Sequence, residues 1–109
     1  MLDQVGETVM QSAAVATGNG VSFDAGGHGY NTLAMQVTGI TTATITFEAT
    51  IDGTNWVSIL ATNVTSGGAA ATATADGIYR ADISSLHQVR TRVSAYTSGT
   101  ITVKGRGQA

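Results

Sequence analysis

Residues 42–60 read Thr-Ala-Thr-Ile-Thr-Phe-Glu-Ala-Thr-Ile-Asp-Gly-Thr-Asn-Trp-Val-Ser-Ile-Leu, and this stretch decides the fold class. Ala43, Ile45, Phe47, Ala49 and Ile51 alternate with Thr44, Thr46, Glu48 and Thr50. A period of two sends the apolar set to one face of a strand and the polar set to the other. Asp52-Gly53 then supplies the chemistry of a reversal, because Gly takes positive φ freely and Asp bonds its own following backbone. Residues 55–60 return with the chain's single tryptophan, Trp56. The pattern predicts a β-hairpin whose Ile45, Phe47 and Ile51 build a core while Glu48 points outward.

Outward from this hairpin the same period recurs. Residues 8–17 and 21–23 read as strands around a turn at Gly18-Asn19-Gly20, and residues 24–29, rich in glycine, as a loop. Residues 30–38 place Leu33, Met35 and Val37 on one face, and Gly39 closes that strand. Residues 63–74 read as an edge strand followed by a loose segment, and residues 78–83 as a further strand after Asp76-Gly77. Ser84-Ser85-Leu86 reads as a bend or a single helical turn. The last part is a hairpin. Residues 87–96 direct Val89, Thr91, Val93 and Ala95 to one face, Thr97-Ser98-Gly99 turns the chain, and residues 100–106 direct Ile101 and Val103 inward. Seven to eight short strands with no amphipathic helix predict an all-β, antiparallel, jelly-roll-like β-sandwich, with a closed barrel as the alternative. The expected organisation is an N-terminal arm over residues 1–7 and one domain over residues 8–109, which 109 residues suit.

Composition narrows the function classes. Hydrophobic residues make up 42% and charged residues 11%, which is a folding composition with a weakly charged surface suited to contact with other protein. Cysteine is absent, so disulfides, thiolate metal sites and cysteine nucleophiles are excluded. Neither an export signal nor a membrane span is expected, since no apolar run approaches the needed length.

All five basic residues, Arg80, Arg90, Arg92, Lys104 and Arg106, follow residue 79, whereas six of the seven acids precede it. Either neighbouring strands balance these charges within the domain, or the charges form an interface with a partner. A terminal hairpin would set Arg90 and Arg92 beside Lys104 and Arg106 on one outer face, where like charges repel and call for acidic neighbours. Glu48 and Glu7, of the same or an adjacent subunit, are the candidates.

Residues able to do chemistry are scattered. His28 and His87 lack accompanying ligands, so no metal site is expected. Asp82, Ser84, Ser85 and His87 hold the residue types of a triad, but a triad is defined by geometry. Gly26-Gly27-His28-Gly29 lacks the lysine of a phosphate loop, and the acidic net charge with few aromatics on the basic face argues against nucleic acid. Asp52-Gly53-Thr54-Asn55 is too poor in carboxylates for calcium. Trp56, with Tyr30, Tyr79 and Tyr96, could stack a sugar, although Trp56 and Tyr96 fit better as core or interface anchors. No cofactor and no enzymatic activity are expected.

The run Phe47-Glu48-Ala49-Thr50-Ile51-Asp52-Gly53-Thr54-Asn55-Trp56, then Gly77-Ile78-Tyr79-Arg80-Ala81-Asp82, then Val89-Arg90-Thr91-Arg92-Val93, resembles small β-sandwich virion proteins of tailed bacteriophages and prophages. The likeness covers about residues 28–106, and departs from the pattern where Ser85 stands for the usual glycine before Leu86. It implies a non-enzymatic assembly protein: first a capsid decoration or cement protein on the virion surface, made in the host cytoplasm. Its implied partners are the major capsid protein or other virion proteins, and it implies a homo-oligomer, a trimer by preference. A neck, tail or fibre accessory module is the alternative, and a carbohydrate-binding module the alternative from another class.

Overall fold

The expected alternation shapes every long element of the computed structural model, which describes residues 7–26 and 29–108. Ten strands follow in chain order: β1 (Glu7–Ala14), β2 (Gly18–Asn19), β3 (Phe23–Asp24), β4 (Thr32–Thr50), β5 (Val57–Ser58), β6 (Ala61–Asn63), β7 (Ala69–Ala70), β8 (Thr72–Ala73), β9 (Gly77–Asp82) and β10 (Gln88–Gln108). All pairings are antiparallel, and among the described residues there is no helix long and apolar enough to cross a membrane. The fold is therefore all-β and antiparallel, as the period of two requires. His28 and residues 1–6 of the expected arm lie outside the described residues, and Glu7 opens β1.

Strand number and length depart from expectation. In place of seven to eight short strands, eight short strands flank two long ones, β4 of 19 residues and β10 of 21. The expected terminal hairpin does not exist, because Thr97-Ser98-Gly99 continues the strand. Twenty-one residues in straight extension would reach about 70 Å, yet the longest dimension of the molecule is 37 Å. The β4–β10 ribbon must bend, and it does so where Gly39 (φ 86°) and Gly99 (φ 126°) meet and the register shifts. A Cβ on Gly99 would stand 2.6 Å from the Gly39 carbonyl oxygen, so the close backbone approach needs glycine there. Asp76 fastens the bend from outside, its carboxylate accepting from the Gly39 N–H at 3.1 Å and the Ile40 N–H at 2.8 Å. A positive-φ glycine inside a bulge bends a strand without reversing it, and sequence alone does not separate the two outcomes.

The bend divides the ribbon, and with it the one ten-stranded sheet, into two parts or layers. In one, the first half of β4 lies between β9 and the second half of β10, which β1 flanks on its other side. In the other, the second half of β4 pairs with the first half of β10, bordered by β5 and β8 on one side and β2 and β3 on the other. The inward residues of both halves meet in one core of Met10, Leu33, Met35, Val37, Ile45, Phe47, Ile83, Val89, Val93, Ile101 and Val103. Phe47 and Tyr79 touch across it with ring centroids 5.5 Å apart. Inward parity along β10 holds on either side of the bend, at residues 89, 91 and 93 and again at 101, 103, 105 and 107, and breaks between them, where Ala95 and Thr97 are exposed and Tyr96 packs on the core. Gly105 and Gly107 occupy core-facing positions because Met10 on one side, and Phe23 with Tyr30 on the other, already fill that space.

Two local expectations are also corrected. Gly18-Asn19 is not a turn but pairs as β2 with Val93 and Arg92, because Gly20 allows the chain to pass against the Met10 and Thr91 carbonyls. Ile51 is 72% exposed and no part of the core. β4 ends at Thr50, and the capped turn that follows lifts residue 51 off the sheet.

Candidate functional site

Outer-facing side chains on the two layers form separate surfaces. On the layer that carries the hairpin, Glu48 of β4 lies opposite Arg90 of β10 in register, with Arg92 one outward position along. Arg90 Nε donates to Glu48 Oε1 at 2.9 Å and Arg92 Nε to Oε2 at 3.0 Å. The Trp56 ring lies over the Arg90 guanidinium, 4.0 Å from its carbon to the ring centroid, a cation–π contact that leaves one indole face occupied. Beside this group Thr46 Oγ1 donates to Ser94 Oγ at 2.8 Å, and Ser94 Oγ donates to the Thr44 carbonyl at 3.3 Å. Both oxygens of Glu48 are thus taken within its own chain. Of the candidates, the structure joins Glu48, Arg90, Arg92 and Trp56 into one cluster in which a single carboxylate pairs with both arginines inside the domain.

Lys104 and Arg106 lie elsewhere. They follow the bend and face outward from the other layer, so the single basic face expected from a terminal hairpin is replaced by two. There Glu7, Arg106, Ala34, Arg80 and Thr62 occupy one in-register row across β1, β10, β4, β9 and β6. Arg80 was not singled out from sequence, and only the β9 register puts it beside Arg106. Tyr96 sits at the bend, half-buried against the core, and its hydroxyl donates to the Gly99 carbonyl at 2.6 Å. In this position Tyr96 braces the bulge.

The hairpin tip is held from within. Asp52 Oδ1 accepts from the backbone N–H groups of Thr54 and Asn55, both at 2.8 Å, and from the Thr50 hydroxyl at 3.1 Å, while Oδ2 accepts from the Asn55 side-chain amide. These donors, the Asn55 N–H foremost, hold the Asp52 carboxyl well below the usual carboxylate range. The oxygens that could have attracted a cation are thereby engaged. On this fixed loop an apolar cleft of about 320 Å³ opens between Ile51, Val57, Ile59 and Leu86. Ile51, Val57 and Leu60 are all exposed.

The triad residue types do not assemble. Asp82 Oδ1 accepts from the Ser84 N–H at 3.0 Å, which lowers the Asp82 pKa and closes a short turn. His87 contributes its backbone, donating to the Thr50 carbonyl and accepting from Ala25 and Gly26. Ser85 has φ 68°, a left-handed conformation that suits the glycine of the resembled pattern.

Comparison with known proteins follows the fold. The family profile described as XepA matches residues 4–107. Among solved structures the chain is similar to the SPBc2 prophage-derived protein YomS, at 23% identity and a TM-score of 0.84, over 98% of this chain and 96% of that one. It is also similar to the PBSX exported protein XepA, at 17% identity and a TM-score of 0.88, over 95% of this chain and 37% of that one. The chain therefore spans little more than a third of that structure. At these identities the likeness establishes a shared fold. No curated protein matches the chain. The family profile takes in 104 of the 109 residues, in the span of residues 4–107: the chain belongs to the XepA family.

Proposed function

We propose that this chain is a non-enzymatic assembly module of a phage particle, with decoration of the capsid surface as its first assignment. The observation that carries the proposal is the hairpin tip, where Ile51, Val57, Ile59 and Leu86 form an apolar cleft on a loop fixed by Asp52. Exposed apolar surface on a pre-ordered loop favours contact with another protein, because little conformational entropy is lost on docking. The partner in this proposal is the major capsid protein or a neighbouring virion protein, met by a homo-oligomer, a trimer by preference. Copies bound to purified heads in co-sedimentation, with binding lost in Val57→Asp, are the expected result. Binding to tails alone would move the module to the neck, tail or fibre. Sedimentation velocity of the free chain reads the oligomer.

A second proposal has a specific support. One similar structure is described as a PBSX exported protein, and this chain matches a part of it. On that basis the module would act outside the host cell. Recovery of the chain from culture medium before lysis would favour export, and recovery only with particles would favour the first assignment.

A further inference from the structure

The row that crosses the layer opposite the hairpin contains an arrangement that the charge balance of the chain does not explain. Arg106 of β10 and Arg80 of β9 flank Ala34 of β4, each in register with it. Strands lie about 4.8 Å apart, so the two arginine backbones stand about 10 Å from one another with only a methyl group between them. The result is a cleft of about 310 Å³ lined by Thr32, Ala34, Arg80, Arg106, Gly107 and Gln108. Lys104 faces the same side two residues before Arg106. Among the described residues, Arg80, Lys104 and Arg106 make no ion pair, in contrast to Arg90 and Arg92. Two acids flank the arginines, and one of them, Glu7, belongs to the same row. Glu7 lies beyond Arg106 on the β1 side, and the Asp82 carboxylate is held in its own turn by the Ser84 N–H. Between the arginines the lining contains no acid among the described residues.

We infer that this cleft is a carboxylate-binding site that receives an acidic segment of a partner protein. Two arginines lining one cleft with a small floor between them suit a planar oxyanion, which a guanidinium can meet with paired N–H donors. The rest of the molecule selects the class of ligand. The net charge is −2, which disfavours a long polyanion such as nucleic acid, and the cleft has no aromatic lining on which bases could stack. A short acidic peptide needs only the local field of Arg80, Arg106 and Lys104. Ala34 is the specificity element, since a larger side chain would fill the space between the arginines and leave their charge intact. The inference rests on the assembly proposal only for the origin of the segment.

The test titrates the ¹⁵N-labelled chain with a synthetic Glu/Asp octapeptide, tripolyphosphate and a single-stranded oligonucleotide, followed by NMR. Saturable, salt-sensitive shifts at Ala34, Arg80 and Arg106 with the octapeptide are expected. Affinity should fall at least fivefold in Arg80→Gln/Arg106→Gln, and equally in Ala34→Phe, which keeps every charge. The well-dispersed spectrum of each variant reports its fold. The inference is overturned if the octapeptide does not bind, if Ala34→Phe leaves affinity unchanged, or if tripolyphosphate or the oligonucleotide binds the row more tightly. Octapeptide binding by a chain that binds neither heads nor tails would uphold the cleft and reject the assembly role, so the two failures are distinguishable.

Discussion

Replacing Glu48 by glutamine removes one charge from a site where two arginines converge, and the structure sets the size of the effect. The Glu48 side chain is 9% exposed and that of Arg90 18%, so their bond is a charge-assisted hydrogen bond largely withdrawn from water. Such a bond contributes about 1.5–3 kcal/mol. Arg92 is 39% exposed, and solvent screening reduces its share to about 1 kcal/mol or less. Glutamine keeps the shape and one carbonyl acceptor but turns an amide N–H₂ toward the other guanidinium. The expected loss is about 2–3 kcal/mol, equivalent to a fall in Tm of about 10–15 °C for a domain of this size. Urea unfolding at neutral pH measures it, and a double-mutant cycle with Arg92→Ala apportions it. In the Glu48→Gln background Arg92→Ala should cost less than in the parent chain. A loss below about 0.5 kcal/mol, the range of ordinary surface substitutions, or strictly additive double mutants, would refute the view of Glu48 as the hub of this face.

Four further outcomes are expected. Ser85→Gly relieves a left-handed non-glycine residue and should stabilise the chain by up to about 1 kcal/mol in denaturant unfolding, the gain being reduced by the greater freedom of glycine in the unfolded chain. The Thr91 hydroxyl is fully buried and has no hydrogen-bond partner among the described residues, so Thr91→Val should be neutral or stabilising by about 1–2 kcal/mol in the same assay. Gly105→Ala places a Cβ 2.6 Å from the Met10 sulfur and should cost about 1–3 kcal/mol through overpacking, with Gly105→Ala/Met10→Ala relieving the clash but opening a cavity. Asp52 has a folded pKa depressed below its unfolded value, so its cap stabilises the tip above the ordinary carboxylate range and is lost as pH falls through the lower folded value. Carboxyl ¹³C titration should place the Asp52 midpoint below that of a model peptide, and a normal midpoint would contradict the bonding described for the loop.

Periodicity made the inward residues legible. Leu33, Met35, Val37, Ile45, Phe47, Val89, Val93, Ile101 and Val103 all face the core, because parity is a local property that the chain cannot change without exposing the whole set. Connectivity was not legible. Ser98-Gly99 has the residue chemistry of a reversal, and whether a positive-φ glycine reverses a strand or bends it depends on the partner strand, here Gly39 of β4. That one difference moved Lys104 and Arg106 away from Arg90 and Arg92. Ile51 failed for a related reason: it continues the alternation on paper, but Thr50 and Asp52 bond to each other and end the strand before it. The Glu48 cluster was visible as a charge that needed partners. The Arg80–Ala34–Arg106 row was not, since its three members come from strands that sequence could not place side by side.

The shared ribbon also governs when the chain can acquire its structure. β10 supplies the hydrogen-bonding partner of β1, β2, β3 and β4, whose residues precede it by 38 to 99 positions in the pairs Gln88↔Thr50 and Glu7↔Arg106. Neither layer is complete without it, and the layer that β1 and β9 border needs its last eight residues, 101–108. The layer bordered by β1 completes only once residues 101–108 are made, and the long loops that these pairings close favour slow folding. During that interval the exposed strand edges are open to wrong partners, which makes the yield of this protein a question of timing during synthesis as much as of final stability.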